Sequence, residues 1–215
     1  MTPLRILVVD DYPVVRRGVR ALLEGQPGWE VCGEASTGRE AIERTKALDP
    51  DIVVLDLSMP DLNGLDATRR IVRESPRTQV LVLTMHQSEE LAHQVLKAGA
   101  TGYVLKSDAD RELIAAVDSL QRRRTFMTSS LAIPAGVTDQ VAEPEDALGW
   151  GDLTAREREV VQLVAEGRSS REVAAELHIS IKTVESHRTN VMRKLRIRSV
   201  SQLVRYAVRN GLVQA

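Results

Sequence analysis

The sequence has little cysteine, few aromatic residues and no long apolar run, and these shortages exclude several classes of protein. Its single cysteine, Cys32, permits no intramolecular disulfide and no cysteine-based zinc site. Apolar runs such as Ile52–Leu55 are only a few residues long, whereas a membrane-spanning helix needs about 20. The first residues carry no small-residue cleavage site, so we expect no secretory signal. We therefore expect a cytoplasmic protein with no membrane partner.

The net charge of −1 conceals two parts of opposite sign. From Asp152 to the end there are 12 Lys and Arg against 7 Asp and Glu, whereas residues 1–151 hold 17 basic and 23 acidic residues. Opposite balances indicate two domains, and a basic part favours a nucleic-acid partner. Residues 125–149 contain two prolines and no periodicity. We therefore predict a first domain at 1–124, a linker at 125–149 and a second domain at 150–215.

Short apolar runs alternate with amphipathic helical patterns in residues 4–124. The runs are Arg5–Val9, Trp29–Glu34, Ile52–Leu55, Gln79–Leu83 and Gly102–Leu105. Continuous aliphatic and β-branched runs are typical of parallel strands that are buried on both faces. The alternation predicts a doubly wound α/β domain with a five-stranded parallel sheet.

The pattern becomes entirely helical from Leu153 onward. The predicted helices are 155–166, 170–177, 181–195 and 200–210. Their start and stop signals are the capping boxes Thr154/Glu157, Ser169/Glu172 and Ser199/Gln202, the N-cap Ser180 and the helix end Gly167. The second domain is therefore predicted to be an all-α bundle of four short helices.

Polar side chains follow the predicted strands at their carboxyl ends. They are Asp10 and Asp11 after the first strand, Asp56 after the third, Thr84 after the fourth and Lys106 after the fifth. A single Asp after a strand is usually a turn residue or a helix cap, but the complete set points to a ligand site at this edge of the sheet. Three converging carboxylates suit Mg²⁺, beside which a carboxylate can attack phosphorus and form an aspartyl phosphate.

The segments ILVVDDYP, VVLDLSMPDLNG, VLVLT and GYVLKS resemble the receiver domain of bacterial two-component response regulators, over about residues 4–120. The resemblance implies a flavodoxin-like fold in which Asp56 is the phosphoacceptor. It also implies that Mg²⁺ is held by Asp10, Asp11, Asp56 and the backbone carbonyl of Ser58. By the same resemblance Thr84 and Tyr103 form a switch pair and Lys106 binds the phosphate.

Four residues near this pocket have more ordinary interpretations or depart from the pattern. Tyr103 could be an ordinary half-buried aromatic residue. His86 and His93 lack metal-ligand spacing, so we expect them on the surface or on a helix. Ser107 stands where many receivers have a proline.

Residues 169–195 form a helix-turn-helix pattern with a basic second helix. Val184, Val191 and Leu195 share one face and are expected to point inward. From Lys182 to Arg209 there are 8 basic residues and one acid, Glu185. Such a face suits a DNA groove, although it could also be the solvated side of a small bundle.

The pattern LTAREREVVQLVAEGRSSREVAAELHISIKTVESHRTNVMRKL resembles the LuxR-type helix-turn-helix of NarL/FixJ response regulators, over about residues 150–213. The resemblance implies base-facing roles for Lys182, Glu185, Ser186 and Thr189. It implies phosphate contacts for Thr183, Arg188, Asn190, Arg193 and Lys194. In this family the last helix pairs two subunits on DNA.

The two resemblances together imply a transcriptional regulator that is switched by phosphorylation. A sensor histidine kinase would phosphorylate Asp56, and a homodimer would bind double-stranded DNA. The chain would not be an enzyme, apart from Mg²⁺-dependent phosphorylation and dephosphorylation of its own aspartate. One alternative is a Mg²⁺-dependent phosphohydrolase, which would turn over small phosphomonoesters. The other is a DNA-binding protein whose first domain only dimerises, which would show no Mg²⁺-dependent labelling.

Overall fold

The computed structural model describes residues 2–130, 153–209 and 213. The chain divides into two compact units, residues 1–131 and 132–215. Residues 125–130, which were predicted to begin the linker, belong to the first unit. The rest of the predicted linker, from residue 131 to 149, lies outside the described residues.

The first unit alternates strands and helices. Its strands are β1 (Leu4–Val9), β2 (Trp29–Ala35), β3 (Ile52–Leu55), β4 (Gln79–Thr84), β5 (Gly102–Leu105) and β6 (Phe126–Met127). Its helices are α1 (Pro13–Glu24), α2 (Gly38–Leu48), α3 (Gly64–Glu74), α4 (Glu89–Lys97) and α5 (Ala109–Gln121), with a 3₁₀ turn at Lys106–Asp108 before α5.

The strands form one sheet in the order β2-β1-β3-β4-β5-β6, and every neighbouring pair is parallel. All residues of β3, β4 and β5 are buried. This burial explains their continuous aliphatic sequences, because a central strand has no solvent-facing side. The predicted parallel α/β domain is therefore confirmed. β1 and β3 are separated by β2 along the chain but are adjacent in the sheet, which brings their carboxyl ends together.

The sheet has six strands among the described residues, so the predicted number of five is wrong. β6 pairs with β5 through Gly102 opposite Phe126 and Tyr103 opposite Met127. The backbone amide of Thr128 extends the pairing by donating to the carbonyl of Tyr103 at 2.9 Å. A strand of two residues has no measurable periodicity, and its position beside β5 depends on tertiary contacts alone.

The second unit contains α6 (Ala155–Ala165), α7 (Ser170–Glu176), α8 (Ile181–Lys194) and α9 (Val200–Arg209). Each helix predicted from the sequence therefore has a counterpart, with ends that differ by at most one residue. α6 packs against α8 and α9, and α7 packs against α8. Val184 and Val191 are fully buried and Leu195 is nearly so, which confirms the predicted inner face of α8.

The predicted start signals are confirmed at three helices. Complete capping boxes form at Thr154 and Ser169, and Ser180 Oγ accepts from the amide of Thr183 at 3.0 Å. The third predicted box is incomplete, because the Gln202 side chain accepts from the amide of Arg198 rather than from that of Ser199. Gly167 ends α6 with a φ of +86°, as its sequence position predicts.

Among the described residues, no helix combines the length and the apolar character that crossing a membrane requires.

Candidate functional site

The carboxyl ends of β1 and β3 bring three aspartates together. Val9 and Leu55 are partners in the parallel register, and the amide of Asp56 donates to the carbonyl of Val9 at 2.9 Å. One carboxylate oxygen each of Asp10, Asp11 and Asp56 lie within 4.8 Å of one another. The convergence predicted from the strand ends is therefore present.

The pocket carboxylates are held by backbone amides and by one lysine. Asp10 Oδ1 accepts from the amide of Tyr12, and Asp56 Oδ1 accepts from the amide of Leu57. Lys106 Nζ lies 2.6 Å from Asp10 Oδ2 and 2.9 Å from Asp56 Oδ2. Lys106 follows the end of β5, which is two strands away from β3 in the sheet. Because the strands are parallel, this end lies at the same edge as the aspartates, and the lysine side chain can reach them.

The electrostatics of the pocket favour an added cation. Burial raises the pKa of Asp11, and the neighbouring charges of Asp56 and Asp10 raise it further. Burial also raises the pKa of Asp56, where Lys106 opposes the shift and Asp10 adds to it. Burial alone would lower the pKa of Lys106, but its contacts with Asp56 and Asp10 outweigh burial and raise it. One lysine thus faces three carboxylates, and the site retains an excess of negative charge.

The residues present fit a divalent cation. Asp11 Oδ1 is buried and has no hydrogen-bond partner among the described residues. A buried acceptor without a donor is costly, and a bound cation would satisfy it. The donor set consists of carboxylate oxygens, which are the ligands that Mg²⁺ prefers.

Gly64 allows the loop after β3 to pack closely around Asp56. A side chain at Gly64 would place its Cβ 2.0 Å from the backbone carbonyl oxygen of Asp56. The amide of Gly64 donates to the carbonyl of Leu57 at 2.8 Å. Only glycine fits this approach, so the loop that holds Asp56 and Ser58 depends on it.

The predicted switch residues both contact His86. Thr84, at the end of β4, is fully buried, and its Oγ1 accepts from the amide of His86 at 3.2 Å. The phenol of Tyr103 donates to the carbonyl of His86 at 2.5 Å. Tyr103 is fully buried, so its alternative interpretation as a half-buried aromatic residue is wrong. Burial raises the pKa of its phenol.

Sequence reasoning missed the place of His86 in this network. His86 Nε2 lies 2.9 Å from Ser58 Oγ, so the half-buried histidine connects the loop after β4 with the loop after β3. Burial lowers the pKa of its ring. The search for metal-ligand spacing could not reveal this role, because the role consists of hydrogen bonds and not of metal ligation. The His86 ring contacts the Ser58 hydroxyl, and its backbone forms hydrogen bonds with the hydroxyl groups of Thr84 and Tyr103.

In the second unit, α8 presents a polar face to solvent. Its exposed members at helical spacing are Lys182, Glu185, Ser186, Thr189 and Arg193. The four residues predicted to face bases are therefore together on one exposed side. That side carries the hydrogen-bonding groups that a helix needs in the major groove.

The residues predicted to contact DNA phosphates form several hydrogen bonds and ion pairs within the second unit. Thr183 Oγ1 lies 2.8 Å from Ser180 Oγ, and Asn190 Oδ1 is 3.4 Å from an Arg193 guanidinium nitrogen. Arg188 donates to Ser170 Oγ on α7 and lies 3.3 Å from Glu185 Oε1. Lys194 Nζ is 2.7 Å from Glu157 Oε2, which is buried in α6. Lys194 thus has an internal ion pair that its sequence position did not predict.

Comparison with known proteins identifies both units. A family model described as the response regulator receiver domain matches residues 6–118, and one described as bacterial regulatory proteins of the luxR family matches residues 152–207. The chain is 38% identical to the oxygen regulatory protein NreC of Staphylococcus epidermidis, over 98% of this chain and 100% of that protein.

Solved structures give the same assignment. The response regulator RcsB of Salmonella typhimurium is 29% identical over 96% of this chain and 97% of that chain, with a TM-score of 0.67. A complex of RcsB with DNA is 29% identical over 97% of this chain and 99% of that chain, with a TM-score of 0.59. These relatives are regulators, which agrees with the expectation that the chain is not an enzyme. The chain therefore belongs to the NarL/FixJ class of two-component response regulators, and it is a transcriptional regulator with a receiver domain and a LuxR-type DNA-binding domain.

Proposed function

We propose that Asp56 accepts a phosphoryl group from a sensor histidine kinase and that its phosphorylation switches DNA binding by the second unit. The observation that carries the proposal is the position of Lys106 Nζ, within 2.9 Å of both Asp10 and Asp56, in a pocket with three carboxylates. An aspartate beside a lysine and a cation site has both the nucleophile and the charge that phosphoryl transfer requires.

The chemistry is a displacement at phosphorus. A carboxylate oxygen of Asp56 forms a bond to phosphorus while the bond from phosphorus to the kinase histidine breaks, and the imidazole leaves with the electron pair. Mg²⁺, held by Asp10, Asp11, Asp56 and the Ser58 carbonyl, would neutralise charge on the phosphoryl oxygens. Lys106 supplies a second positive charge at the same place. The only catalysis by the chain would be phosphorylation and dephosphorylation of its own aspartate.

Thr84 and Tyr103 would carry the change out of the pocket. Thr84 Oγ1 accepts from the amide of His86 and donates to none of the described residues, so its hydroxyl hydrogen is available to a phosphate oxygen. A move of Thr84 toward the phosphate would shift the peptide of His86, which Tyr103 also holds. Phosphorylation would thereby bias an equilibrium between two arrangements of the loop after β4.

The DNA-binding step is assigned to α8. Lys182, Glu185, Ser186 and Thr189 would face bases, and the phosphate contacts would come from Thr183, Arg188, Asn190, Arg193 and Lys194. A homodimer would bind double-stranded DNA in the cytoplasm. The domain limits proposed with this assignment are 1–124 for the receiver, whose sheet also includes β6 at Phe126–Met127, and 150–215 for the DNA-binding domain.

The test is acyl-phosphate labelling of the full chain with a small phosphodonor. We expect Mg²⁺-dependent labelling and phosphodonor-dependent footprints on DNA for the wild type, and neither for Asp56→Asn. Asp61→Asn is the matched control, because Asp61 lies in the same loop but pairs with Arg39 outside the aspartate cluster. Labelling that persists in Asp56→Asn would refute the assignment of the acceptor.

A further inference from the structure

The only acidic residue of α8, Glu185, lies on the face that is assigned to DNA. Its side chain is 54% exposed. Ser170 Oγ donates to Glu185 Oε1, and Arg188 lies 3.3 Å from the same oxygen. Every described hydrogen bond and ion pair of the Glu185 carboxylate uses Oε1. The second oxygen, Oε2, is therefore free to accept a hydrogen bond from outside the protein.

The two hydroxyl groups beside Glu185 use their hydrogens within the helix. Ser186 Oγ donates to the carbonyl of Lys182, and Thr189 Oγ1 donates to the carbonyl of Glu185, each at 2.9 Å. Both hydroxyl oxygens keep their acceptor capacity. The centre of the exposed face thus presents hydrogen-bond acceptors, with the donors Lys182 and Arg193 toward its two ends.

A carboxylate near DNA needs compensation for its charge, and Arg188 supplies it. The guanidinium group lies one helical turn away and contacts Glu185 directly. The pair is close to neutral, which reduces repulsion from the DNA phosphates. Glu185 can therefore approach a base edge without the full cost of an uncompensated anion in the groove.

The chemistry of the groove selects the base. A carboxylate only accepts hydrogen bonds, and in the major groove only cytosine N4 and adenine N6 donate. Adenine places its acceptor N7 beside N6, where it repels a carboxylate, whereas cytosine presents its amino group without a neighbouring acceptor on its own edge. Guanine and thymine present acceptors to the same position and are disfavoured.

We propose that Glu185 is a specificity-determining residue that reads a cytosine in the major groove of each half-site. The proposal rests on the proposed DNA-binding function of α8. In this proposal Oε2 accepts from the cytosine amino group, and Oε1 keeps its contacts with Ser170 and Arg188.

The experiment is selection of binding sites from a random duplex library by the full chain treated with a phosphodonor. The wild type is expected to enrich a motif in which one position per half-site prefers cytosine over the other bases by at least about fivefold. Glu185→Gln should lose that preference or move it to adenine, because a carboxamide both accepts and donates and suits adenine. The other motif positions should stay as they are in the wild type.

Ser170→Ala is the matched control. It removes the hydrogen bond from Ser170 to Oε1, keeps the contact of Arg188 with Oε1 and leaves Oε2 unchanged, so the cytosine preference should persist. The same motif from wild type and Glu185→Gln would overturn the inference and leave DNA binding intact. An equal change of motif in Ser170→Ala and Glu185→Gln would also overturn it, because the loss of the hydrogen bond between Ser170 and Oε1 would then explain the effect. A wild type that enriches no motif would refute the proposed DNA-binding function itself.

Discussion

The buried phenol of Tyr103 donates a 2.5 Å hydrogen bond to the backbone carbonyl of His86. Thr84 contacts the amide of the same residue, and the His86 ring reaches Ser58 Oγ. The loop after β4 is thus fixed at one residue from three directions: β4, β5 and the loop after β3. The His86 ring therefore connects the loop after β4, which Tyr103 holds, with the loop that carries Asp56 and Ser58.

Tyr103→Phe should loosen this loop and lower stability. The variant leaves the His86 carbonyl without its donor, which costs about 1–3 kcal/mol where the group stays buried. Urea unfolding should report the loss, and amide exchange should become faster at residues 85–88. Tyr12→Phe is the control, since Tyr12 is 51% exposed. Equal exchange rates in wild type and Tyr103→Phe would show that the bond does not hold the loop.

Mg²⁺ should stabilise the protein at pH 7 and do so less at pH 5. Burial and neighbouring charges raise the pKa of Asp11 and of Asp56, so both carboxyls take up protons at a higher pH than ordinary aspartates do. A protonated carboxyl does not bind the ion, so protons and Mg²⁺ compete. At 100 times the dissociation constant, the gain at pH 7 should be about 2.7 kcal/mol. Thermal unfolding with and without Mg²⁺ at both pH values measures it.

Asp11→Asn tests whether the charge of Asp11 destabilises the folded protein in the absence of Mg²⁺ and binds the ion in its presence. A carboxyl with a raised pKa in the folded state costs stability once the pH exceeds that pKa, because the folded state must hold an unfavourable charge. Without Mg²⁺ the variant should therefore be more stable than the wild type at pH 7. It should also lose most of the Mg²⁺-dependent rise in melting temperature. An unchanged rise would exclude Asp11 from the metal site.

The sequence predicted correctly those features that depend on residues close together in the chain. Apolar runs located the central strands, because buried strands must be aliphatic. The pocket aspartates followed from their positions at strand ends, and serine or threonine located the helix starts. β6 and the Glu157–Lys194 pair were missed for a different reason. Both depend on residues that are distant in sequence, and a basic residue on a helix shows no local sign that it faces inward.

Lys194 should contribute to the stability of the second unit. Burial alone would raise the pKa of Glu157, but hydrogen bonds from Lys194 and Thr154 outweigh burial and lower it. Lys194→Met should cost about 1–3 kcal/mol at pH 7, because the buried carboxylate loses its charged partner. The lowered pKa means that this contribution is present above the ordinary glutamate range and disappears as acid protonates Glu157. Unfolding curves at pH 7 and pH 4 measure the difference, with the exposed Lys182→Met as control.

Glu112 on α5 forms hydrogen bonds with the two residues that follow β6, Thr128 and Ser129. It accepts from Thr128 Oγ1, from Ser129 Oγ and, at 3.1 Å, from the amide of Ser129. Burial alone would raise the pKa of Glu112, but these bonds lower it, so the contact should stay intact at pH 5. Glu112→Ala should accelerate amide exchange at Ser129 by about 5- to 30-fold, which corresponds to about 1–2 kcal/mol of lost local stability.

The amide of Thr128 separates two outcomes of that variant. It donates to the carbonyl of Tyr103 and not to Glu112, so its protection reports on the pairing of β6 with β5. If Glu112 only fastens the residues beyond the strand, exchange should rise at Ser129 and remain slow at Thr128. Equal acceleration at both amides would mean that β6 depends on Glu112 for its place in the sheet. Glu90→Ala, at an exposed glutamate of α4, should change neither rate.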